Sequence, residues 1–149
     1  MSLNEEVDLL RKIPLFAKID PSKLKLLAFT SERLTFDAGQ ELFHQGDVGD
    51  TAYIIIDGEA DVLVDTPTGE LAVAKLKQND LVGEIAILIN IPRTATVRAD
   101  SELTTLAISK DQFFNMIREF PDMAIEIMRE LAERLEQTTS DLRAALSDS

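Results

Sequence analysis

The stretch Leu81-Val82-Gly83-Glu84-Ile85-Ala86-Ile87-Leu88-Ile89-Asn90-Ile91-Pro92-Arg93-Thr94-Ala95-Thr96-Val97 is the most informative part of this chain. It reads as a strand run, a glycine turn, one short apolar helical turn, a loop and a second strand. Glu84 and Arg93 are charged residues in an otherwise apolar segment. Burying a charge is costly unless it is paired or used. Gly83 followed by a helical turn offers free backbone N–H groups at a helix start, which suits an anion. Arg93 can bring a forked guanidinium to the same oxygens. Thr94 adds a hydroxyl donor, and Glu84 a carboxylate that accepts from ligand hydroxyls. A small molecule with one phosphate and a free sugar hydroxyl satisfies all of these groups. A structural ion pair between Glu84 and Arg93 is the other reading, and residue types alone leave the two level.

Around this stretch, short β-rich runs recur at 34–36, 41–43, 52–56, 60–64, 71–76, 94–98 and 103–108. Turn signals separate them, among them Asp37-Ala38-Gly39, Gly46-Asp47, Pro67-Thr68-Gly69 and Gln78-Asn79-Asp80. Asp57-Gly58 between two strand runs predicts a tight hairpin. Many short strands at this spacing predict a sandwich or barrel, best read as a β-roll of jelly-roll type. Residues 4–33 read as short helices, with Asn4 as a cap, Pro14 as a stop and Asp20-Pro21 opening the second. Residues 109–146 are helical again. Ser109 caps one helix, Pro121 interrupts, and Asp122 opens a long last helix. In that helix Met128, Leu131, Leu135, Thr138, Leu142 and Ala145 follow steps of 3, 4, 3, 4 and 3, a heptad stripe. Ile125 and Ile127 broaden the apolar face where it should pack on the β-region. The stripe fits either a purely intramolecular amphipathic helix or a helix-pair homodimer, and its run to the C-terminus favours the dimer. The expected fold is mainly β with flanking α: one domain over 1–149, with N-terminal helices at 4–33, the roll at 34–108 and C-terminal helices at 109–146.

The chain has 149 residues, with 15 lysines and arginines against 27 aspartates and glutamates, for a net charge of -12. Such acidity repels phosphate backbones and anionic lipid, which argues against direct nucleic-acid and membrane partners. Nine acids (Asp37, Glu41, Asp47, Asp50, Asp57, Glu59, Asp61, Asp65 and Glu70) lie between Arg33 and Lys75, with no lysine or arginine among them. Their turn and alternating positions suit a solvated face, and no calcium-loop pattern is present. The absence of cysteine removes disulfides and thiolate chemistry and is compatible with a reducing cytoplasm. His44 is the single histidine, so sites needing several imidazoles, including those of cupin enzymes, are excluded within one chain. It reads as a surface or structural residue. Phe113-Phe114 and Tyr53 read as core, and Ser101 and Ser109 lack a nucleophile-elbow context. No metal site and no catalytic residue is predicted.

Gly83-Glu84-Ile85-Ala86 followed by Pro92-Arg93-Thr94-Ala95-Thr96-Val97 resembles the phosphate-binding cassette of the cyclic-nucleotide-binding domain family. The spacing from Gly83 to Arg93 matches the kinase-type cassette without insertion or deletion. Upstream, 38–43 with Gln45-Gly46-Asp47 resembles the family's first hairpin, and 52–59 its next strand and turn. Gly46, Gly58, Gly83, Glu84, Arg93 and Ala95 stand where the family is strictest. The resemblance covers essentially the whole chain, and it tips the even choice above toward a ligand site.

The resemblance implies roles. Glu84 would accept from the ribose 2′-hydroxyl, and Arg93 would pair with the exocyclic phosphate oxygens. Thr94 would donate to the phosphate or the base, and the Ala86 N–H would support the phosphate. Gly83 would let the backbone pass the ribose, with Ile85 beside it, and Ala95 would leave the phosphate room. The last helix is similar to the one that dimerises in the transcription-activator branch, where a Thr-Ser pair contacts the adenine. Here the pair is Thr138-Thr139. The implied function is a non-enzymatic sensor with no cofactor. Its ligand is cyclic AMP by preference or cyclic GMP, and its C-terminal helices move on binding. The alternatives are a dimerisation module of the same fold that has lost its ligand, or the regulatory part of a transcription factor, kinase or channel. No helix-turn-helix follows before Ser149, so output is expected through the last helix.

Overall fold

The computed structural model describes residues 3–13, 16–17 and 19–147. Helix α1 spans Leu3–Arg11. Asn4 lies inside it rather than capping it, and Pro14, the expected stop, falls outside the described residues. Asp20 caps α2 (Pro21–Thr30) as expected, accepting from the Ser22 N–H at 2.9 Å, with Pro21 in the first turn. The helical zone ends earlier than residue 33. Ser31 is extended, and Glu32 already opens β1 (Glu32–Phe36).

Seven further strands follow: β2 (Glu41–Phe43), β3 (Thr51–Asp57), β4 (Ala60–Thr66), β5 (Gly69–Leu76), β6 (Leu81–Val82), β7 (Thr96–Ala99) and β8 (Leu103–Ser109). They form two four-stranded antiparallel sheets, ordered β1-β8-β3-β6 and β2-β7-β4-β5. This is the expected β-roll. The hairpin expected at Asp57-Gly58 is not one, because β3 and β4 belong to different sheets. The turn itself is real: Gly58 has φ 95°, and a Cβ there would lie 2.3 Å from the Glu102 carbonyl oxygen. But β3 is hydrogen-bonded to β8 on one side and β6 on the other, so it has no free edge for β4. Nor do β1 and β2 pair, since their partners are β8 and β7. A tight hairpin does join β4 to β5, with Thr66 opposite Gly69.

The β3 sequence TAYIIID shows why the strand sits centrally. A run buried on both faces reads as continuously apolar rather than alternating. Ile54 and Ile56 face the helices, packing with Leu10, Leu24, Phe113 and Met123. Tyr53 and Ile55 face the opposite sheet, packing with Leu42, Leu76 and Val97 there and with Leu103 of the neighbouring β8. Ser109 caps α4 (Lys110–Glu119), and α5 runs from Pro121 to Ser147. Along α5, Met123 and Ile127 are buried, whereas Ile125 is half exposed rather than packed as expected. Beyond them Leu131 is partly buried, and Met128, Leu135 and Leu142 are exposed. His44 is exposed, with Nδ1 3.0 Å from Glu41 Oε1, a contact that raises its pKa. Among the described residues no helix is long and apolar enough to cross a membrane.

Candidate functional site

The segment 81–97 folds as expected at its start. Strand β6 ends at Val82, Gly83 turns the chain, and α3 occupies Glu84–Ile89. Gly83 has φ +90°, a left-handed conformation, and a Cβ there would lie 2.7 Å from Arg93 Nη1 and 3.0 Å from the Thr51 carbonyl oxygen. Only glycine meets both demands without strain. Asn90, also left-handed, closes α3 by donating its N–H to the Ala86 carbonyl. The expected strand 94–98 begins only at Thr96. Thr94 and Ala95 stay in the loop, which leaves them free to line a cavity.

That cavity, about 340 Å³, opens between β4, β5, the 81–97 segment and α5. Its size lies in the range of small-molecule sites, about 300–1,000 Å³. Gly83, Glu84, Ile85, Ala86, Arg93, Thr94 and Ala95 all line it. Val62, Ala74, Leu76 and Val82 make its apolar wall. Thr138 and Thr139 are not in the lining. Both lie exposed on α5, so within one chain the expected adenine contact is not made.

Arg93 is only 5% exposed. Its backbone is held by the 44–50 loop: the Arg93 N–H donates to the Asp47 carbonyl at 2.7 Å, and the Gly46 N–H donates to the Arg93 carbonyl at 2.9 Å. Its guanidinium donates from Nη1 to the Gly83 carbonyl at 2.8 Å and from Nη2 to the Thr51 carbonyl at 2.6 Å. The Phe43 ring centroid lies 3.9 Å from Cζ. Nε is buried and has no partner. Burial pulls the Arg93 pKa below the ordinary arginine value, against the pull of nearby Tyr53, Asp50 and Asp47.

Glu84 is 2% exposed, and it does not pair with Arg93. Its cation comes from α5: Arg134 Nη1 donates to Glu84 Oε1 at 2.7 Å. From Nη2, Arg134 also donates to the Leu81 carbonyl at 2.6 Å and to Glu130 Oε1 at 2.9 Å. Burial raises the Glu84 pKa, and Arg134 only partly offsets it. The structure thus rules out the alternative reading of a Glu84–Arg93 ion pair and places two separate charges at one cavity. One is an arginine fixed by carbonyls, the other a carboxylate fixed by a helix some 50 residues away.

Arg134, Phe43 and Gly49 also shape this site and are not among the residues expected there from sequence. A Cβ on Gly49 would lie 2.5 Å from Ala86 Cβ and 2.9 Å from Arg93 Nε. The available signal for Arg134 was its place one helical turn before Thr138, on the side of α5 that the resemblance assigned to ligand.

The family model for the cyclic nucleotide-binding domain matches residues 33–120. A CRP-like cAMP-activated global transcriptional regulator of Mycobacterium tuberculosis is 27% identical over 136 residues, covering 91% of this chain and 61% of that protein. A cAMP-dependent protein kinase regulatory subunit of Eremothecium gossypii is 36% identical over 110 residues, covering 74% of this chain and 23% of that protein. Among solved structures, the catabolite activator protein of Thermus thermophilus aligns with a TM-score of 0.77 at 28% identity, covering 87% of this chain and 61% of that one. The match to the family model covers more than half of the chain, and the chain belongs to the cyclic nucleotide-binding domain family. It spans less than two thirds of the length of these relatives.

Proposed function

We propose that this chain is a non-enzymatic regulatory module, a single domain over 1–149, that binds a cyclic nucleotide, cyclic AMP in preference to cyclic GMP. The observation that carries the reading is Arg93, a buried cation with Nε unpartnered, lining the same cavity as buried Glu84. A desolvated guanidinium with donors to spare suits the oxygens of a phosphodiester. The first-turn N–H groups of α3 have no intrahelical acceptor and add to the same anion site. Glu84 has lone pairs beyond the one Arg134 uses and takes the ribose hydroxyl. Thr94 and Ala95 border the phosphate, with Ile85 and the Val62–Ala74 wall against the apolar faces of the ligand.

A ligand moves a helix only if it contacts the two states differently. Arg134 supplies that link, because it joins α5 to the very carboxylate the ribose would use. The seam of α5 supports a homodimer. With Met128, Leu135 and Leu142 at the a positions, Leu131, Thr138 and Ala145 fall at d. The flanking e and g positions hold Ile127, Ala132, Arg134, Thr139, Asp141 and Leu146, with no like-charge pair across a parallel seam. In that arrangement Thr139 of a second copy faces Arg134, which brings the threonine pair back to the cavity mouth.

The test is calorimetric titration of the chain with cyclic AMP and cyclic GMP, beside Arg93→Ala. Cyclic AMP should bind more tightly, and the variant should lose at least about tenfold, as removal of a charged phosphate contact predicts. Tight binding that survives the substitution overturns the assignment, and no thermal shift at millimolar nucleotide favours the ligand-free module.

A further inference from the structure

We infer that Phe43 is a positioning residue for the anion site: it holds the Arg93 guanidinium in its working orientation before any ligand arrives. The inference rests on the ligand reading above and adds a residue to it. An arginine side chain has many rotamers, and fixing it on binding weakens affinity unless the free protein has already fixed it. Three contacts fix Arg93 here. Gly83 and Thr51 carbonyls accept from Nη1 and Nη2, at 2.8 and 2.6 Å, and set the direction of the fork. The Phe43 ring lies 3.9 Å from Cζ and covers the guanidinium. Gly49 supplies the room, since a Cβ there would come within 2.9 Å of Nε and 3.0 Å of Cζ. Of five N–H donors, two are spent on carbonyls. Nε and the second hydrogens of Nη1 and Nη2 remain.

Phe43 is itself built in. Its ring lies 6.1 Å from that of Tyr53, and Tyr53 lies 6.3 Å from Phe36, edge to face. The register of β2 against β7 shifts between Glu41 and Phe43. Such a bulge re-aims a side chain, and here the side chain lines the cavity. Aliphatic residues would fill the same wall, but they offer no negative π-face to a guanidinium.

The experiment uses the whole chain with cyclic AMP as the probe. Phe43→Leu keeps the apolar bulk and removes the ring; Phe43→Tyr keeps the ring. Calorimetry should show Phe43→Leu weakened about 3- to 10-fold, the cost of ordering one long side chain. Phe43→Tyr should stay within about twofold of the parent. The order parameter of the Arg93 Nε–Hε bond in the ligand-free protein reads positioning directly. It should be that of a rigid group in the parent and in Phe43→Tyr, and fall into the flexible range in Phe43→Leu. An Arg93 that stays rigid in Phe43→Leu overturns the inference even if affinity falls, because the ring would then be touching the ligand rather than holding Arg93. Failure of the parent to bind either cyclic nucleotide would instead overturn the ligand reading, and the order parameter would still decide the clamp.

Discussion

Arg134→Ala should cost stability in a pH-dependent way. Arg134 donates three charged hydrogen bonds, to Glu84, the Leu81 carbonyl and Glu130. Removing one partner of a buried ion pair costs about 3–5 kcal/mol, because the other charge is left without compensation. The Arg134 side chain is 36% exposed, so water replaces part of what it gives, and the expected loss falls to about 2–3 kcal/mol. For a chain of this length that is a drop of about 5–10 °C in Tm. The sign with pH follows from Glu84. Burial already raises its carboxyl pKa in the folded protein, with Arg134 opposing. A folded pKa above the unfolded value gives stability that is present below the unfolded pKa and lost as pH rises through the folded one. Without Arg134 the carboxyl pKa rises further, so the loss should be small in acid and open toward neutral pH. Glu130, raised by burial and by the Glu84 charge, should add to the same slope. Thermal unfolding followed by circular dichroism at acid and neutral pH measures this. Glu84→Gln in the Arg134→Ala background should recover most of the neutral-pH loss. A loss under about 0.5 kcal/mol at neutral pH, no more than an ordinary surface change, refutes the reasoning, as does a loss that ignores pH.

Two further outcomes are expected. Gly49→Ala should lower stability by about 1–3 kcal/mol, the usual cost of overpacking, since its Cβ meets Ala86 and Arg93. Its affinity for cyclic AMP should fall with it, and a variant with unchanged titration and Tm would show that the loop gives way. Leu135→Glu, placing a charge in the middle of the exposed α5 seam, should shift the chain toward monomer in light scattering while leaving the unfolding of the roll nearly unchanged. A mass unaffected by it would remove the seam from the interface.

The β-roll and the flanking helices were legible because their signals are local. Turn residues punctuate the strands, and β3 carries an unbroken apolar run. Gly83, Glu84 and Arg93 were legible for a similar reason, as charges and a turn set in apolar sequence. Pairing was not. Asp57-Gly58 specifies that the chain turns, but which edge is free for β4 depends on β6 and β8, which lie elsewhere in the chain. The partner of Glu84 was hidden in the same way. The nearest conspicuous cation is Arg93, yet the carbonyls of Thr51 and Gly83 claim that guanidinium, and the ion pair is made from α5. Phe43 and Gly49 look like ordinary strand and turn residues until the fold sets both against Arg93.

The anchoring of α5 has a mechanical consequence. Its buried contacts, Met123 and Ile127, lie near its start, and Arg134 grips the site about 10 Å further along. From Ile127 to Ser147 the rod extends about 30 Å. With the pivot at the buried end, the helix is a lever with arms of about one to three. A shift of about 1 Å where Arg134 meets the cavity becomes about 3 Å at the far tip. Under the proposed reading, the longer arm is where a small rearrangement at the cavity would be magnified most.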